Sequence, residues 1–176
     1  VLFGSGNAMN NVGSGDCNII TGNSASGNSG TISLSTGETQ LGNTGDASIR
    51  TGSSTAGGDT GLLQIETGDG ENSGGILVAT GQAANSAGTI SISAGPSVSG
   101  NGGGVLLTAG HSDSAIGGPI DISAGTSDVQ GGGDVTISAG SSLGMLGGSV
   151  SINPGIGAPG NPDGEINLGG KTNIAG

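Results

Sequence analysis

The side chains through which this chain could do chemistry are few: one histidine, His111, one cysteine, Cys17, and thirteen carboxylates. Residues 140–144, Gly-Ser-Ser-Leu-Gly, have the form G-x-S-x-G. In hydrolases that form lifts a serine nucleophile onto a strand-to-helix elbow within reach of a histidine. Here no helical pattern follows, and His111 lies two repeats away in a column that accepts almost any residue, so Ser142 reads as a turn serine. Glycine clusters such as 100–104, GNGGG, are not phosphate loops, because no helix N-terminus follows to hold an anion. Calcium is bound in some repeat proteins by an aspartate at a fixed place in every turn. Asp16, Asp46, Asp59 and Asp134 precede apolar pairs in only some repeats and at shifting offsets. Cys17 stands in an apolar column and reads as a small hydrophobe. The residues point to no catalysis, no cofactor and no resident metal, with calcium the one ion whose pattern is partly met.

The elements that position these residues come from a repeat. The phrase GTISISAG at 88–95 returns as GVLLTAG at 104–110, PIDISAG at 119–125, DVTISAG at 134–140 and SVSINPG at 149–155. The closing glycines Gly95, Gly110, Gly125, Gly140 and Gly155 recur at a constant interval, and upstream the marker falls at Gly22, Gly37, Gly52, Gly68 and Gly81. A fixed period of this kind governs the fold of the whole chain. Five residues before the marker stand residues such as Ile32, Ile90, Ile120 and Val150. Three before it stand Leu34, Ile92, Ile122 and Ile152. Small polar residues alternate with them, the pattern of a strand with one buried face.

A unit this short cannot bury its own apolar pair, so neighbouring units are expected to stack. Helices are excluded by apolar spacing of two and by the density of glycine, 43 of 176 residues. An antiparallel barrel or sandwich needs shorter hairpin connections than the roughly ten residues between pairs. The reading is all-β: a parallel β-solenoid, or β-helix, of about twelve coils over residues 1–176, with a modified last coil at about 156–176, forming a rod about 55 Å long at about 4.8 Å per rung. Before each marker stand Thr21, Thr36, Thr51, Thr67 and Thr80, then Ala94, Ala109, Ala124 and Ala139, a small and tightly packed site. Two after it come Ser24, Thr39, Ser54, Ser97, Ser112, Ser127 and Ser142, hydroxyls expected to bond turn backbone.

Charge narrows the partners. Two basic residues, Arg50 and Lys171, face thirteen acids, for a net charge of −11. Nucleic acid is excluded as a partner, because phosphate binding rests on Lys and Arg, and an anionic membrane surface is excluded on the same ground. No apolar run of about 18 residues exists to enter a membrane. The chain contains no Asn-x-Ser/Thr sequon.

The repeat G-x-I-x-I-S-A-G with Ser/Gly-rich arcs is similar to glycine-rich repeat stretches in large cell-surface and extracellular proteins of microalgae and other microbes. That resemblance covers essentially the whole chain, implies an extracellular or cell-surface structural role, and carries over no functional residue. The expected function is that of a filament subunit, shaft or spacer, self-assembling head to tail with itself through open ends at Val1, Phe3, Leu168 and Ile174, the heterologous contact that generates fibres. The alternative is ice binding, since the chain also resembles ice-binding β-solenoids in coil length and Gly/Ser/Thr content. Its candidate face is Ser33, Ser35, Ser91, Ser93, Thr136 and Ser138, interrupted by Arg50, Gln64, Glu66, Leu77, Leu106 and Asp121.

Overall fold

The computed structural model describes residues 3–8 and 13–170. The chain divides into two units, Val1–Thr89 and Ile90–Gly176. Both are built from the repeat, but not as the sequence pattern predicts. Among the described residues there is neither helix nor strand, and the chain is largely coil. The expected β-solenoid, or β-helix, is therefore corrected to a largely irregular chain that bends repeat by repeat, with loops closed by backbone hydrogen bonds in unit Ile90–Gly176.

The reason lies in where the backbone hydrogen bonds go. In unit Ile90–Gly176, the Gly103 amide donates to the Gly95 carbonyl at 3.0 Å. Gly118 donates to Gly110, Gly133 to Gly125, Gly148 to Gly140 and Gly164 to Gly155, each at 2.9 Å. Every one of these bonds closes a loop inside a single repeat, and none joins one repeat to the next. Asn161 to Ala158 adds a turn within the last loop. A folded protein forms about one internal hydrogen bond per residue, roughly two-thirds of them backbone to backbone. Among the described residues the six bonds just named are the backbone-to-backbone set, far short of a ladder.

Local closure wins because bringing together residues eight or nine apart costs less entropy than ordering a whole repeat against its neighbour. Glycine at this density raises the cost of ordering further. Two large aliphatic side chains per repeat return little apolar burial against it. The loops bend at residues 25–27, 40–42, 55–57, 70–72 and 84–85 in the first unit and at 98–100, 113–115, 128–130 and 143–145 in the second. The period read from the sequence is thus kept, as a period of bends. Gly57, with φ at 90°, and Gly160, with φ at 91°, sit in a bend and a turn that place them in the left-handed region, where a Cβ is disfavoured.

No hydrophobic residue is buried among the described residues. In the second unit the residue five before the marker is about half exposed except Val105 at 65%, and the one three before it is more open, from Ile152 at 63% to Ile92 at 79%. Alternation survives along the stretches themselves: the Asn153 side-chain amide donates to Ser151 Oγ at 2.9 Å, so residues two apart share a side. None of the described residues forms a helix long and apolar enough to cross a membrane.

Candidate functional site

Three kinds of site repeat along the chain, and the loop comes first. A Cβ placed on the glycine that ends each loop would meet the residue just before the marker. Gly103 would meet Ala94 Cβ at 3.1 Å, Gly30 would meet Thr21 Cβ at 3.2 Å, and Gly118, Gly133 and Gly148 would meet Ala109, Ala124 and Ala139 at 3.5–3.6 Å. The same pairing recurs for Gly15 with Ser5, Gly61 with Thr51, Gly74 with Thr67, Gly88 with Thr80 and Gly164 with Pro154; the loop from Thr36 to Gly45 lacks it. Thr21, Ala109 and Ala124 are among the few half-buried residues. The small-residue column therefore packs against the loop's own closing glycine. That glycine column recurs once per repeat at Gly103, Gly118, Gly133 and Gly148, a signal present in the sequence that the strand reading passes over.

The turn serines are the second. Ser24 Oγ accepts from Gly27 N–H and Ser97 Oγ from Gly100 N–H, each at 2.9 Å. Ser54 accepts from Gly58 at 3.1 Å and Ser112 from Ala115 at 3.0 Å. Ser127 accepts from Gln130 at 2.9 Å and from Val129 at 3.4 Å, and Ser142 from Met145 at 3.0 Å and Gly144 at 3.4 Å. These six hydroxyls hold the bend, as their position in the repeat predicts, whereas Thr39, in the same column, makes no such bond. Ser142 is thus occupied as an acceptor within its own turn. His111 Nε2 lies 3.2 Å from Asp113 Oδ1, both largely exposed, a surface pair of little energetic weight. Serine and histidine are each engaged locally, and no nucleophile–base pair is built from them. The last loop has its own device: the Gly157 amide donates to Asp163 Oδ1 at 2.7 Å.

The third is the exposed apolar column. Phe3 and Leu168, expected as assembly ends, are 77% and 68% exposed, whereas Val1 and Ile174 lie outside the described residues. Residues 3–5 and 16–18 line a shared open cleft of about 330 Å³ that includes Phe3, Asp16 and Cys17. Cys17, expected in a packed core column, is an exposed free thiol. Ser33, Ser35, Ser91, Ser93, Thr136 and Ser138 are all exposed and lie in unbent stretches, with no sheet to set the spacing between them. Comparison with known protein families, with characterised proteins and with solved structures finds no match. The site must be read from its own chemistry. Among the described residues no three His, Cys, Asp or Glu side chains group as metal ligands, so Asp16, Asp46, Asp59 and Asp134 are not brought together. What recurs in both units is a loop held by serine and glycine, followed by a short stretch offering aliphatic side chains and unpaired backbone to its surroundings.

Proposed function

We propose that this is a non-enzymatic structural protein of the extracellular space or cell surface whose repeats associate with further copies of the chain. The observation that carries the reading is the surface left open. The chain exposes 17613 Å². A compact monomer of its 16.2 kDa would expose about 7,500 Å² and its unfolded chain about 23,500 Å². Only about a quarter of the unfolded surface is removed, where a domain of this size removes roughly 70%. That open surface includes aliphatic side chains in every repeat, and exposed apolar patches are a feature of association sites. The extracellular setting rests on the resemblance of the repeat to surface proteins, and the acidic composition favours solubility of the unassociated chain.

Sedimentation of the purified chain across protein and salt concentrations tests the reading. Growth in mass with concentration is expected, with fibrous or sheet-like particles by electron microscopy. A monomer at every concentration and salt would remove self-association from consideration and leave the exposed hydroxyls as the surface to examine. A freezing-point assay then decides the ice-binding alternative.

A further inference from the structure

Resting on the self-association reading, we infer where the copies meet: along the unbent stretches of every repeat, rather than at the two ends of the chain. The occupant of these stretches is a second copy of this chain, aligned repeat to repeat. Apolar exposure does not single out the ends: Phe3 at 77% and Leu168 at 68% fall inside the range of the interior residues of the same column, from Ile19 at 59% to Leu34 at 81%. An association driven by apolar burial has no reason to select the ends when the same side chains recur in every repeat.

The backbone makes the same case. In unit Ile90–Gly176 the hydrogen bonds fall at the loop necks, leaving the N–H and C=O groups of residues 105–108, 120–123 and 135–138 without backbone partners. These segments are β-branched or aliphatic at alternate positions, and Ser151 with Asn153 shows residues two apart on one side. An unpaired segment of this composition is a template for another chain to pair with. A partner that pairs one stretch and then the next must present its own stretches at the same interval. Ile122 and Ile137 stand one full repeat apart, with a closed loop between them. A second copy meets that requirement in register across the unit.

Area decides between a closed pair and continued addition. The surface exposed beyond that of a compact monomer is about 10,000 Å², whereas a standard interface takes about 800 Å² from each partner. One partner on one side covers only a small part of it, and the same stretches stay open on each added copy, so the assembly inferred is open-ended.

The full chain is compared by sedimentation with two variants. One carries Leu107→Lys, Ile122→Lys and Ile137→Lys in the stretches; the other carries Phe3→Asp and Leu168→Asp near the ends. The stretch variant is expected to weaken association at least tenfold, and the end variant to leave it within about twofold. Amide exchange on the unsubstituted chain supplies an independent reading: residues 120–122 should exchange at least tenfold more slowly in the assembly than in the monomer. Protection at Gly118 and Gly133 in the stretch variant checks that its loops still close. Assembly abolished by the end variant, or unprotected amides at 120–122 in the assembled protein, would overturn lateral pairing while leaving self-association standing. A strictly monomeric unsubstituted chain would overturn both.

Discussion

Ser127 Oγ accepts two backbone amides, those of Val129 and Gln130. Replacing it by alanine leaves both donors to water, at a cost of about 0.5 kcal/mol for an exposed hydrogen bond. The expected outcome for Ser127→Ala is a Gln130 amide that exchanges about twofold faster, with distant loops unchanged, read by NMR hydrogen exchange. The closing glycines give a sharper contrast. A methyl group on Gly103 would sit 3.1 Å from Ala94 Cβ, so the neck must give by a few tenths of an ångström to take it, whereas a Cβ on Gly104 meets nothing within 4 Å. Neither φ lies in the left-handed region, so the difference is one of space alone. Gly103→Ala should open the loop neck and expose the Gly103 amide to exchange. Gly104→Ala should not, and combining Gly103→Ala with Ala94→Gly should recover part of the protection. Equal behaviour of the two alanine variants would show that the neck is not packed.

At the scale of the element, the loop is the recurring unit, and each of its parts has a counterpart in the sequence. The serine column and the small-residue column are legible there because their roles are local: a hydroxyl beside a turn, and a residue too tightly placed to exceed Thr or Ala. The period is legible too, and reappears as bends spaced one repeat apart. The strand is not decided by the same pattern. Ile120 and Ile122 alternate with polar residues as a half-buried strand would, but alternation states only which side could be covered, not whether anything covers it. Hydrogen-bond partners decide that, and here the Gly110 and Gly125 carbonyls spend theirs inside the repeat. The last loop departs from the serine pattern and shows what must replace it. Asp163 Oδ1 accepts the Gly157 amide, and a Cβ at Gly157 would collide with the Pro162 carbonyl oxygen. Asp163→Ala should speed exchange at Gly157 by about two- to tenfold. Asp163→Asn, which keeps a side-chain oxygen, should restore most of the protection, and a failure of that rescue would assign the effect to charge rather than to the acceptor.

Two opposing terms act on the whole molecule. Exposed aliphatic side chains in every repeat favour association, and a net charge of −11 on each copy opposes it. The charge term is long-ranged and screened by salt, with a Debye length falling from about 30 Å at 0.01 M to about 8 Å at 0.15 M. The apolar term is short-ranged and is not weakened by salt; it fades on cooling. Raising ionic strength at fixed protein concentration should therefore increase assembly, and chilling should reverse it. Acidification acts in the same direction as salt: as pH falls toward the sequence pI of about 4.1, net negative charge declines and repulsion with it. Assembly at pH 4.5 should exceed that at pH 7.5 in low salt, and the difference between the two should shrink as salt is added. Light scattering across this grid separates the two terms. Head-to-tail contact at a single pair of ends would give linear growth with little dependence on Leu107, Ile122 or Ile137. Contact along the repeats couples every copy's charge to every neighbour's, so the salt response should be steep and the assembly should thicken as well as lengthen. Assembly that weakens with added salt would mean that attraction between charges holds the copies together, and the two cations of each chain, Arg50 and Lys171, would then be the residues to substitute next.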